Sequence, residues 1–214
     1  VAVKLVGFIL IPLYTDAEYF STADYGLMGL LEVTSQILIA VMGLSLYSGL
    51  IRWYWDAEYR DKQKTIFFTT LLFTILTSLC IGSVLWLNVG ELSALLVQQE
   101  GYSLGGELPY ILQLLILTSM LGAVVEVPQN LLRLQRKPIY YSLTNIVRLF
   151  ATLVLTIYFT ISLHRGVAGV YEAQLVGIVI QLLMVLPLVI KNSSCRVDRK
   201  CTIQLLAYSY PLVF

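Results

Sequence analysis

Charge is what this chain has least of. Asp, Glu, Lys and Arg make up only 13% of its 214 residues, about half the share in a soluble domain. Apolar residues make up 58% and the mean hydropathy is +0.80, so the polar groups could not cover a surface in water, and the solvent must be lipid. Fourteen Lys and Arg against thirteen Asp and Glu leave a net charge of +1, too small a field to hold nucleic acid. The single histidine, His164, has no Cys or second His beside it with which to share a metal. Cys80, Cys195 and Cys201 are too few and too far apart for a disulfide framework or a zinc knuckle, and read as free thiols. The glycines of Gly101–Gly106 are not followed by the Lys-Ser/Thr of a phosphate loop. These absences leave no catalytic residue, metal site or cofactor to name, and the chain does not read as an enzyme.

What is present is a series of long apolar runs. A helix needs about 20 mainly apolar residues to cross the ~30 Å hydrocarbon layer, and only helices or closed barrels satisfy every backbone group there. Complete spans are expected at residues 26–54, 66–88, 108–132, 139–163 and 167–190, after a partial first span at 1–14. These runs are far longer than the ~10-residue alternating strands of a membrane barrel. A basic loop at 191–202 leads into the start of a seventh span at 203–214. The expected fold is an all-α polytopic membrane protein: a six-helix N-terminal lobe with its first helix truncated, the beginning of a second lobe, and more chain to follow.

The loops alternate in charge. Arg52, Arg60, Lys62 and Lys64 follow span two, Arg133, Arg136 and Lys137 follow span four, and Lys191, Arg196, Arg199 and Lys200 follow span six. The first and third loops instead carry Asp16, Glu18, Asp24, Glu91, Glu100 and Glu107. The positive-inside rule then puts the N-terminus and the basic loops in the cytoplasm of a multi-pass protein of the cell membrane. Asp56, Glu58 and Asp61 alternate with basic residues and read as a solvated turn rather than a metal site.

Ionisable residues inside the spans are the informative ones: Lys4, Glu32, Glu126, Arg148 and Glu172. A charge near the bilayer centre costs ~2.5–3.5 kcal/mol even on insertion scales, so each needs a cavity or a partner. Glu32 and Glu172 lie within about two turns of the outer end of their spans, where snorkelling to the headgroups would serve. Arg148 is deeper, roughly 13 Å along span five. Tyr141, Asn145, Arg148, Thr152 and Thr156 recur at helical spacing on one face. Span four has a similar stripe in Ser119, Gly122, Glu126, Gln129 or Asn130, and Arg133, and span two a weaker one in Glu32, Gln36, Gly43 and Tyr47. Three such stripes point to a wet interior cavity; a salt bridge between Glu126 and Arg148 is the competing explanation. The Thr70, Thr74, Thr77, Ser78 run of span three reads as close helix packing.

Several stretches, taken in order, resemble one family. They are Ile11-Pro12-Leu13-Tyr14-Thr15, Ser21-Thr22-Ala23-Asp24-Tyr25-Gly26-Leu27, Gly49-Leu50-Ile51-Arg52-Trp53-Tyr54, Pro128–Arg133 with Arg136-Lys137-Pro138, Gly166–Val170, and Tyr208-Ser209-Tyr210-Pro211. Together they are similar to the polysaccharide biosynthesis proteins, the O-antigen-type oligosaccharide flippases of the multidrug/oligosaccharidyl-lipid/polysaccharide exporter superfamily. The resemblance implies two six-helix lobes, of which this chain is the N-terminal one. It also implies that a lipid-linked oligosaccharide (a polyprenyl-pyrophosphate sugar) is turned across the membrane by alternating access, with membrane lipid, a polysaccharide polymerase and glycosyltransferases as partners. Arg148 would then hold the pyrophosphate, with Asn145, Glu126, Gln129 and Lys4 around it and Arg52 helping to capture it at the cytoplasmic end.

Two other functions compete: a multidrug or small-solute exporter of the same superfamily, driven by Na⁺ or H⁺ through Glu126, and a membrane-embedded polyprenyl-dependent transferase. All of them need the same topology. With the native cysteines replaced, Ser103→Cys and Ser194→Cys should label from opposite sides with a membrane-impermeant thiol reagent in intact cells. Labelling of both from outside would overturn the loop assignment.

Overall fold

A computed structural model describes residues 20–56, 62–100 and 106–194. The expected span at 1–14 with Lys4, the loop beyond Ser194 with Cys195 and Cys201, and the segment at 203–214 lie outside the described residues. Within them the chain is helical and contains no strand. The helices are α1 (Thr22–Gly43), α2 (Leu46–Trp53), α3 (Gln63–Leu87), α4 (Val89–Glu100), α5 (Leu108–Leu134), α6 (Pro138–Ile157) and α7 (Gly166–Asn192), with α6 widening into a π turn at Tyr158–Ser162. Five helical stretches are long and apolar enough to cross a membrane: Ala23–Gly43, Gln63–Leu87, Leu108–Leu134, Pro138–Ser162 and Gly166–Asn192.

Local chemistry sets the ends. The Asp24 N–H donates to Ser21 Oγ at 3.1 Å and the Ser21 N–H to Asp24 Oδ2 at 2.9 Å, a reciprocal capping box that starts α1 at Thr22. The helix thus begins four residues before the expected position, which places Glu32 ten residues along it, about 15 Å from its start. Glu32 is exposed on the surface of α1. Pro109 and Pro138 fall in the first turns of α5 and α6, where the missing N–H removes no helical bond. The loop expected at residues 89–107 contains a helix of its own, α4, whose Val89 and Ser93 are buried.

The second span is not continuous. Leu44 (φ 45°) and Ser45 (φ 49°) both take the left-handed conformation and separate α1 from α2. For residues with a Cβ this costs about 1–2 kcal/mol each, and the surroundings compensate. The Leu44 N–H donates to the Val41 carbonyl at 3.2 Å. From α3, Thr77 Oγ1 lies 2.7 Å from the Met42 carbonyl oxygen, closer than the 2.9 and 3.1 Å to carbonyls of its own helix. The threonine run of α3 does pack closely, as expected, and one member also answers a backbone group freed in a neighbouring helix.

α5 is the centre of the bundle, with 56% of its most apolar stretch buried against 17–33% in the other spans. Towards the acidic end, Ile111 and Leu115 of α5 pack with Leu27 and Leu31 of α1 and Tyr171 of α7. Towards the basic end, Leu131 and Leu132 pack with Leu50 of α2, Phe67 of α3 and Val185 of α7. The loops meet as the alternating spans require. At the basic end the Gln135 side chain donates to Asn192 Oδ1 at 2.8 Å and to Tyr54 Oη at 3.3 Å. At the other end Glu172 accepts from Tyr110 at 2.8 Å and from Arg165 at 3.2 Å. Glu172 is therefore held by partners in the protein and does not reach out to headgroups.

α6 and α7 approach closely because Gly177 has no side chain. A Cβ there would lie 2.1 Å from Thr152 Oγ1 and 3.4 Å from the Arg148 carbonyl oxygen. In the full-length protein, Gly177→Ala should therefore lower stability by about 1–3 kcal/mol, the usual cost of overpacking. Thr152→Ala in the same molecule should return most of the loss, read as the melting temperature of the detergent-purified protein. Equal melting of Gly177→Ala and wild type would refute this packing.

Candidate functional site

The polar face of α6 is assembled as the helical spacing implied, but it packs against α5 and α7 instead of lining open water. Arg148 Nη1 donates to Gln181 Oε1 of α7 at 3.0 Å, and Gln181 Nε2 donates to Asn145 Oδ1 at 3.2 Å. Asn145 Nδ2 lies 2.7 Å from the Tyr141 carbonyl oxygen and 3.4 Å from Gln129 Oε1 of α5. Gln129 Nε2 donates to Thr144 Oγ1 at 2.9 Å, and Thr144 Oγ1 donates to the Tyr141 carbonyl at the same distance. Three helices are thus joined by one directional run of hydrogen bonds, with Gln129, Thr144 and Gln181 fully buried. Every amide in it uses both its donor and its acceptor.

Arg148 stands at the end of that run. It is half-buried and makes its one hydrogen bond among the described residues to a neutral amide. No ion pair joins it to Glu126: the ion pair of the described spans is Arg165–Glu172, at 3.2 Å. The salt bridge considered from sequence is therefore corrected. The cause is geometric. On α5 the residue that meets α6 is Gln129, about 60° round the helix and one turn beyond Glu126, and the Arg148 guanidinium is turned to Gln181 of α7.

Glu126 lies on the flank of α5 nearer α1. It lines a cavity of about 240 Å³ with Gln36, Ile39, Ala40, Gly43, Ser45 and Tyr47. The stripes of spans two and four meet here as expected, so the polar interior is divided between this cavity and the α5–α6–α7 run. Further along α5, Ser119 Oγ lies 3.1 Å from Ser35 Oγ of α1, and Ile39 packs over Gly122. Towards the basic end Arg133 is taken up by Tyr141, through its hydroxyl and with the guanidinium carbon 4.5 Å from the ring centroid, and by Asn130 Oδ1 at 3.3 Å.

Of the residues singled out from sequence, the structure joins Arg148, Asn145 and Gln129 through Gln181. Glu126 sits apart in its own cavity, and Arg52 is exposed in the last turn of α2. Lys4 lies outside the described residues. Gln181 and Thr144 were missed. Gln181 is one of two uncharged polar side chains, with Gln174, between Glu172 and Lys191, and an isolated amide in so apolar a span was the available signal. Among the described residues no group of three or more His, Cys, Asp or Glu side chains could hold a metal ion.

No protein-family model matches the sequence, and no curated protein matches it. Solved structures do. The chain is similar to a crystal structure of MATE in the bent conformation, with a TM-score of 0.73 at 18% identity over 99% of this chain and 48% of the other. An outward-facing multidrug resistance MATE family transporter of the MOP superfamily gives 0.75 at 18% identity, with the same coverage of both chains. An inward-facing one gives 0.63 at 17% identity over 89% of this chain and 45% of the other. The chain therefore spans about half the length of the structures it matches, and its fold is that of one half of a MATE transporter.

Proposed function

We propose that this chain is one lobe of a membrane exporter that moves amphipathic small organic solutes by alternating access. The observation that carries the proposal is that nearly the whole chain superposes on half of a transporter solved facing outward and on half of one solved facing inward. A rigid lobe of this kind rocks against its counterpart around a site near the bilayer midplane. The bracing at both ends of the lobe, by Gln135–Asn192 and by Glu172 with Tyr110 and Arg165, suits motion as one body. No covalent chemistry is needed. The N-terminus and the basic loops face the cytoplasm in this proposal, the arrangement expected from their charge.

A second reading, the lipid-linked oligosaccharide flippase, is favoured by one feature. The Arg148 guanidinium has no carboxylate partner among the described residues and uses one of its five donors on Gln181. The remaining donors suit an anionic headgroup such as a pyrophosphate, which a guanidinium binds bidentately.

The two readings separate in proteoliposomes containing the full-length protein. The exporter reading expects transport of a planar aromatic cation, largely retained in Arg148→Ala. The flippase reading expects translocation of a polyprenyl-pyrophosphate sugar, reduced roughly tenfold or more in Arg148→Ala, as loss of a charged hydrogen bond worth ~1.5–3 kcal/mol implies. Arg148→Lys should restore part of it. If neither substrate moves, both readings fall.

A further inference from the structure

We propose that the turn between α5 and α6 and the end of α2 form a binding site for a phosphate group, the headgroup of an anionic lipid at the basic rim of the lobe, with Arg136 as its cation. The site is independent of the solute that is carried, and the topology decides only which leaflet supplies the lipid.

The turn is built around a residue that local stability disfavours. Arg136 has φ 52°, a left-handed conformation unfavourable for any residue with a Cβ. The Lys137 N–H donates to the Leu132 carbonyl at 3.0 Å and the Arg136 N–H to the Arg133 carbonyl at 3.1 Å. These two bonds form the Schellman ending of a helix, whose left-handed position usually holds glycine. Glycine would close α5 at least as well, so the arginine is explained by its side chain. The cation before it, Arg133, is taken up by Tyr141 and Asn130, and the one after it, Lys137, donates to Gln135 Oε1 at 2.9 Å. The Arg136 guanidinium is exposed and has no hydrogen bond or ion pair among the described residues.

Arg136 stands instead beside a cavity. Among the described residues, Trp55, Gln135 and Arg136 line a space of about 410 Å³ where α2 ends near this turn, a size within the range of small-molecule sites. Its walls are fixed from behind. Tyr54 is held by Gln63, which donates to its carbonyl at 2.9 Å, and by Gln135, which donates to its hydroxyl at 3.3 Å and to Asn192 Oδ1 at 2.8 Å. Trp55 stands edge-on to the Tyr54 ring, 5.2 Å between centroids, and is 63% exposed. The Gln135 amide uses both of its N–H donors in this bracing. That leaves the Arg136 guanidinium and the Trp55 indole N–H as the donors that can meet a ligand.

The chemistry of these two side chains selects the ligand. A guanidinium presents paired donors that match a phosphate. An exposed tryptophan at the end of a span sits at headgroup depth, with its polar edge towards water and its ring towards acyl chains. A soluble anion would use the first feature and not the second. The surrounding charge is positive, with Arg52 one turn before Trp55 and Lys191 at the end of α7. Asp56 follows Trp55 but does not line the cavity. Basic pockets between spans at such a rim hold the headgroups of anionic lipids. A headgroup between Trp55 and Arg136 would bridge α2 to the α5–α6 turn and stabilise the folded lobe.

The test uses the detergent-purified full-length protein. It reads the rise in melting temperature on adding lipid to each variant separately, so a variant's own stability does not enter. Phosphatidylglycerol in the micelles should raise the melting temperature of the wild type by roughly 2–4 °C, and phosphatidylcholine at the same mole fraction by clearly less. Arg136→Gly, which suits the left-handed turn and removes the guanidinium, should lose the difference between the two lipids. Arg136→Lys should keep part of it. Lys191→Gln, which removes a charge from the same end but outside the cavity, should keep all of it. Trp55→Ala should shift half-saturation several-fold to higher lipid. Glycerol 3-phosphate should give no rise; one equal to that from phosphatidylglycerol would assign the site to soluble phosphate esters and overturn the lipid. Equal responses to both lipids in the wild type, or a preference that survives in Arg136→Gly, would overturn the site. Loss of the preference in Lys191→Gln as complete as in Arg136→Gly would reduce it to diffuse charge and overturn it as well.

Discussion

Arg148 brings a full charge into the interior of a lobe whose described helices offer it no acid, and the sequence around it follows from that constraint. A guanidinium in a low-dielectric interior needs hydrogen-bond acceptors even where it lacks a counter-charge. The acceptor is Gln181, which must itself be satisfied and passes the requirement to Asn145. Asn145 passes it to Gln129 and to the Tyr141 carbonyl, and Gln129 donates in turn to Thr144. Each of these side chains would be costly on its own in an apolar core. Together they tie α5, α6 and α7 into one unit without using an acid.

The backbone obeys the same constraint where the helices are interrupted. Pro187 lies within α7 and leaves the carbonyl four residues earlier without its usual donor. The neighbouring Met184 carbonyl accepts a hydrogen bond from Tyr140 of α6. At the break between α1 and α2, Thr77 donates to the Met42 carbonyl. There a hydroxyl on an adjacent helix supplies what the helix itself cannot, as non-helical backbone at membrane depth requires. Among the described residues, the buried hydroxyls of Thr69, Ser78, Thr118, Thr156 and Thr160 have no hydrogen-bond partner and serve as close-packing surface.

The spans were legible because burial in lipid demands length and apolarity, which a single sequence displays directly. Four of the five expected full spans begin and end within a few residues of the helices found. The fifth, at 26–54, misled because nothing at Gly43-Leu44-Ser45 announces a break: there is no proline, and the two residues that turn left-handed both carry a Cβ. The face of Tyr141, Asn145, Arg148, Thr152 and Thr156 was equally legible from its spacing. What it packs against was not, because the partner, Gln181, is 33 residues beyond Arg148 and sits alone in an apolar helix. Pairing of Glu126 with Arg148 looked reasonable by charge alone and failed because Arg148 is turned to Gln181 of α7 while Glu126, one turn before Gln129 on α5, lines the cavity shared with α1, a distinction that depends on how the helices are rotated in the bundle.

The outer surface separates two kinds of helix face. The exposed side chains of α3 include Leu76, Leu79, Val84 and Leu87, and those of α6 include Ile139, Ile146, Phe150 and Val154. Such faces can front hydrocarbon at no cost. α1 differs: Glu32 and Gln36 are both exposed, one turn apart on the same side, among Val33 and Ile37. An acid about 15 Å along a spanning helix cannot front lipid cheaply, so this face of α1 belongs against water or against more protein. Its neighbour along α1 is the cavity of Glu126 and the break at Leu44–Ser45. The polar outer face, the internal carboxylate and the interrupted backbone therefore lie along one element. In a lobe otherwise braced as a rigid unit, α1 with α2 is the part whose path can change without breaking the hydrogen-bonded core of α5, α6 and α7.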